Sequence, residues 1–145
     1  MGNNIQTMNK INFEDIQYSL KNPKKYIIIN ILENHEQGCL IPNTISPEQE
    51  INIINQLLNN GLKHKEQYIK IIIYGKNCND EKVYKKYNQL LSLGFHEIYI
   101  YPGGLFEWLL LQDIYGDKEF PTTKKELDIL KFKPRKILNL SLLEY

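Results

Sequence analysis

Between an apolar β-branched run and a helical pattern lies a short polar loop, Gly75-Lys76-Asn77-Cys78-Asn79-Asp80-Glu81. Its one thiol, Cys78, is the candidate nucleophile. A thiolate at a helix N-terminus is stabilised by unpaired backbone N–H groups and by the positive end of the helix. The same N–H groups, at residues 76–81, can hold a small anion. Lys76 can attract an anionic donor, and Lys82 is the next basic residue. Asp80 opposes this chemistry, because a neighbouring carboxylate disfavours a thiolate.

The other residues with chemical potential stand apart. Cys39 reads as a small packing residue, and two isolated cysteines make neither a disulfide framework nor a Cys-rich zinc site. His35, His64 and His96 lack the paired spacing of a metal centre, so no metal is expected. No Gly-x-Gly-x-x-Gly follows the first strand and no Walker loop is present, so no cofactor is expected. Gly103-Gly104 fits a turn that needs positive φ and a close helix approach. Trp108 reads as a core anchor. Glu107, in a helix apolar nearly all round, either reaches the surface or pairs with a lysine.

Strands and helices alternate around the loop. Asn12 caps a helix with Phe13, Ile16 and Leu20 on one face. Tyr26 to Ile31 is a continuous apolar run, as in a strand buried on both faces of a parallel sheet. Thr44-Ile45 is a very short strand. Ser46-Pro47-x-Gln49 starts a helix carrying Ile51, Ile54, Leu57 and Leu58, and Gly61 stops it. The run Ile69–Tyr74 leads into the loop, and Asn79 or Asp80 caps the next helix, which ends at Gly94. Glu97–Tyr101 is a further strand. In the tail, Thr123-x-x-Glu126 repeats the capping-box pattern before Leu127 and Leu130. This alternation predicts an α/β fold with a parallel sheet, whose ligands bind beyond the carboxyl ends of the strands. The loop 75–80 lies at such an end.

Bulk properties restrict the class. The chain has 145 residues, 18 basic and 17 acidic side chains and a net charge of +1. That balance gives no electrostatic footprint for nucleic acid. No apolar run approaches the ~20 residues of a membrane span. A reduced, cytoplasmic setting is the default for two lone cysteines.

Several segments, in order and spacing, resemble the rhodanese-homology family. YIIINIL matches its first strand, with Asn30 where the family usually has Asp. Gly38–Ile45, GCLIPNTI, is similar to its Gly-His-Ile-Pro-Gly-Ala stretch, with Cys39 in place of His. IIIYGKNCNDEK is similar to the active-loop segment. Gly94, Phe95, Gly103, Gly104 and Trp108 match the closing segment. The resemblance covers residues 11–115. It implies a central parallel five-stranded sheet flanked by helices, here followed by a C-terminal helical tail. Residues 1–116 would form the domain, and 117–145 an extension packed on it or on a partner chain.

The resemblance also implies chemistry. A rhodanese carries sulfur as a persulfide on a cysteine directly after the strand, and an arginine often ends its loop. Aligned on the strand end, Gly75 takes the cysteine's place, and the loop contains no arginine. Counted back from Gly94-Phe95, Cys78 falls about one residue from it. One reading is a degenerate sulfurtransferase scaffold with weak or no thiosulfate sulfurtransferase activity, used to bind an anion or a protein. The alternative is an active sulfurtransferase with persulfide on Cys78, serving a small sulfur-containing anion or a protein thiol. A cysteine-based phosphatase or arsenate reductase is disfavoured by the missing arginine.

Overall fold

The computed structural model describes residues 8–59 and 69–138. Gly61, His64 and the end of the tail extension, 139–145, lie outside them. Four strands, β1 (Tyr26–Asn30), β2 (Thr44–Ile45), β3 (Lys70–Tyr74) and β4 (Ile98–Tyr101), pair in parallel in the order β2-β1-β3-β4. The helices are α1 (Phe13–Leu20), α2 (Pro47–Asn59), α3 (Lys82–Ser92) and α4 (Gly104–Tyr115). None of the helices among the described residues is long and apolar enough to cross a membrane.

Where five strands are expected, the described residues form four, and one bridge beyond β4 sets Lys10 beside Ile100. Ile11 N–H donates to the Ile100 carbonyl, and Ile100 N–H to the Asn9 carbonyl, both at 2.8 Å. The pairing stops after Ile11 for a local reason. Asn12 accepts the N–H groups of Glu14 (2.9 Å) and Asp15 (3.2 Å), so the chain is already turning into α1.

Because side chains alternate across a strand, the isoleucine runs feed two cores. Ile28, Ile72, Tyr74 and Tyr101 pack with Ile16, Leu105 and Trp108 on one face. Ile29, Ile71, Ile73, Ile98 and Ile100 pack with Ile54, Val83, Tyr87 and Leu90 on the other. Helix α2 starts as the sequence predicts: Ser46 Oγ accepts Gln49 N–H at 3.1 Å and Gln49 Oε1 accepts Ser46 N–H at 3.2 Å. Ile51, however, points outward and is 64 % exposed.

Among the described residues the tail holds a 3-10 turn, Ile129–Phe132, where a helix opened by Thr123 and Glu126 is expected. Its capping groups are engaged elsewhere. Thr123 N–H donates to the Leu40 carbonyl (2.8 Å), and the Thr123 hydroxyl accepts Leu40 N–H (3.0 Å). Leu127 and Leu130 are therefore exposed, whereas Phe120 and Phe132 are buried in the α1–α4 core. Trp108 Nε1–H donates to the Pro121 carbonyl at 2.8 Å, and Gln112 Nε2–H to that of Phe120 at 2.7 Å. Ile137 and Leu138 are exposed.

Candidate functional site

The loop begins at the end of β3. Tyr74 is fully buried, and its hydroxyl accepts Ile41 N–H (3.2 Å) and meets Thr44 Oγ1 (3.1 Å). Gly75 follows. The first turn of α4 then grips the loop from outside: Leu105 N–H donates to the Gly75 carbonyl (3.0 Å) and Phe106 N–H to that of Lys76 (2.9 Å). Gly104 allows this approach. Its φ is +66°, and a Cβ there would stand 2.7 Å from the Gly75 oxygen and 3.0 Å from Asn77 N. The positive φ and close approach expected of the glycine pair thus fall on Gly104.

Inside the loop sits the carboxylate of Asp80. Its Oδ2 accepts the N–H of Lys76 at 3.1 Å and its Oδ1 that of Lys82 at 3.3 Å. Asp80 thereby satisfies the start of α3 and one donor of the loop with the same side chain. A Cβ on Gly75 would lie 2.8 Å from Asp80 Oδ2, 2.8 Å from Val83 Cγ2 and 2.9 Å from Ile31 Cδ1. The place of a side chain at the loop base is taken.

Cys78 stands at the rim. It is exposed, with Asn79 Oδ1 3.8 Å from its sulfur. Asn77 shapes the turn through Oδ1, which accepts Asn79 N–H at 2.9 Å. Its Nδ2 donates to the Phe132 carbonyl at 2.9 Å, tying loop to tail. Glu81 is exposed at the start of α3 and makes no side-chain cap.

The two nearby cations face away from the loop interior. Lys76 Nζ lies 2.8 Å from Glu36, and Lys82 pairs with Glu33. Burial is the largest influence on Glu36 and works against its charge, yet the hydrogen bond from Lys76, the backbone hydrogen bond at Glu33 and the Lys76 charge together hold that carboxyl below its usual range. Asn30, in the place of the expected acid, is buried in a neutral amide pair with Gln37: Gln37 Nε2 donates to Asn30 Oδ1 at 2.7 Å, and Asn30 Nδ2 to Gln37 Oε1 at 3.1 Å. Cys39 is buried, donates to the Lys124 carbonyl (3.2 Å), and is pushed up in pKa by that burial.

Two roles escaped sequence reasoning. Glu107 neither reaches for lysine nor snorkels; it accepts the Tyr101 hydroxyl at 2.5 Å. Burial, and secondly this carboxylate, push the Tyr101 phenol well above its ordinary value. The i/i+6 spacing of Tyr101 and Glu107 across a Gly-Gly turn was the available signal. The inward turn of Asp80 had a weaker one, since an aspartate before a helix reads equally as an outward cap.

No protein-family model matches the sequence, and no curated protein does. Solved structures do match. A single-domain sulfurtransferase of Saccharomyces cerevisiae is 19 % identical, with a TM-score of 0.52 over 79 % of this chain and 97 % of that one. A yeast protein tyrosine phosphatase of the rhodanese family is 14 % identical, with a TM-score of 0.54 over 85 % and 97 %. The Alr3790 protein of Anabaena is 19 % identical, with a TM-score of 0.54 over 83 % and 97 %. The fold is rhodanese-like. At these identities the likeness is one of fold, and the neighbours include both sulfur- and phosphate-handling proteins.

Proposed function

We propose that this chain is a rhodanese-like domain that carries no sulfur and acts as a binding or regulatory module. The supporting observation is Asp80. Its carboxylate takes N–H donors that a bound anion would need and lies 2.8 Å from where a side chain on Gly75 would begin. A persulfide needs a thiolate surrounded by such donors. Cys78, at the exposed rim, is outside them.

Incubation with thiosulfate followed by intact-mass measurement tests this reading. In the catalysed reaction a cysteine thiolate would attack the outer sulfur of thiosulfate, forming a new S–S bond as the old one breaks and sulfite departs. The wild-type chain and Cys78→Ser are expected to keep their mass. Gain of one sulfur by the wild type, lost in Cys78→Ser, would overturn the proposal and make Cys78 the carrier. Two engineered chains sharpen the test. Gly75→Cys alone should stay unloaded, because Asp80 holds the loop's N–H donors and Asp80, Val83 and Ile31 all crowd a side chain there; Gly75→Cys with Asp80→Ala, Val83→Ala and Ile31→Val should load.

A further inference from the structure

We infer a second, separate anion site: a cleft of about 330 Å³ between the turn after β1 and the tail, suited to a small phosphomonoester. No residue from Gly75 to Glu81 lines it. Its floor is apolar and buried, formed by Cys39 and Phe132, and its rim carries His35, Lys124, Lys125 and Lys131. The size is at the lower end of small-molecule pockets, and an apolar floor under a few convergent charges is their usual make-up.

The charge count selects the ligand. Two acids line the cleft, Glu36 and Glu126, and both are matched: Glu36 by Lys76 at 2.8 Å and Glu126 by Lys131 at 2.5 Å. Lys124 and Lys125 have no acidic partner among the described residues. Two lysine charges are thus left over at one mouth, which matches a dianion. Lysine binds phosphate as a point charge and needs no planar fork, so the absent arginine is no obstacle here. The backbone around the two lysines is fixed independently of their side chains. The Lys124 carbonyl accepts Cys39 Sγ–H and Thr122 Oγ1–H, and Thr123 pairs with Leu40.

Gly38 supplies a blocking variant. It lines the cleft, a Cβ built there meets nothing within 4 Å, and its φ is not positive. A larger side chain at Gly38 would therefore project without backbone strain.

The test is an NMR titration of the full chain with phenyl phosphate, with benzyl alcohol as the neutral control. Saturable shifts are expected at the amides of His35, Gly38, Lys124 and Lys125. Lys124→Glu with Lys125→Glu should weaken binding at least about tenfold. Gly38→Phe should abolish binding with an unchanged Tm. Inorganic phosphate should bind more weakly, because it leaves the apolar floor uncovered. Shifts still linear at about 20 mM phenyl phosphate would overturn the site, as would unchanged affinity in the double lysine variant. Shifts confined to residues 75–81 would also overturn it and would count separately against the filled loop; shifts at the cleft leave that reading untouched.

Discussion

The corner from Tyr101 to Trp108 and the loop from Gly75 to Glu81 touch one another, yet different forces hold them. The corner depends on backbone fit. Gly104 packs against loop backbone, the first N–H groups of α4 hold two loop carbonyls, and Trp108 is fully buried. The loop interior depends on one carboxylate. Asp80 fixes the donors of Lys76 and Lys82 and occupies the space at Gly75. A scaffold made of close backbone contacts tolerates few substitutions. The content of a loop can change with one or two polar residues while that scaffold stays in place.

Substitution at the corner should therefore cost most. Gly104→Ala combines positive φ with a Cβ 2.7 Å from a carbonyl oxygen. A loss of about 2–4 kcal/mol in urea unfolding is expected. A loss below about 0.5 kcal/mol, within the range of ordinary surface changes, would break the contrast between corner and loop.

Alkaline pH should strike both regions through their tyrosines. Burial holds Tyr74 and Tyr101 above their ordinary value, and Glu107 adds to the effect at Tyr101. With folded values raised, their contribution is complete below pH ~10 and is lost as the pH rises from there toward the folded values. Each phenol then removes about 1.4 kcal/mol per pH unit. Urea midpoints followed from pH 9 upward should fall, and Tyr101→Phe and Tyr74→Phe should each flatten the fall. A midpoint that does not respond to alkali would show that the phenols titrate freely.

Within the loop, Asp80→Ala should cost about 1–2 kcal/mol, since two backbone donors lose a charged acceptor in a partly exposed setting. Amide exchange at Lys76 and Lys82 should quicken, while α4 stays protected. Equal quickening in α4 would mean that the loop content supports the corner, against the separation drawn above.

The smallest effect concerns Glu36, which joins the loop to the turn after β1. Its lowered pKa gives stability above the unfolded carboxyl value of about 4.3, lost as the pH falls through the lower folded value. The Tm difference between the wild type and Glu36→Gln should be present at pH 6 and close near pH 3. A constant difference would assign the loss to packing.

The elements near the loop were legible where the signal is local. Asn12, Ser46 with Gln49, Gly94 and the isoleucine runs each act within a few residues, so their roles follow from spacing. Thr123 and Glu126 carried an equally good helix signal that the structure does not follow. Leu40, 83 positions away, competes for the Thr123 hydroxyl. Asn30 in the place of an acid could be read, but not the amide of Gln37 that completes it.

By itself the sequence determined the alternation of strands and helices, the parallel sheet they imply, and a loop with a thiol at its rim and glycine at its base. These follow from periodicity and from short-range caps. Tertiary structure decided the direction of Asp80, the pairing of Lys76 and Lys82 away from the loop, and the bridge of Lys10 with Ile100 beyond β4. It also set the tail against Asn77 and Leu40. In each case a polar group chooses among partners far apart in sequence, and only the folded chain fixes which of them is within hydrogen-bond reach.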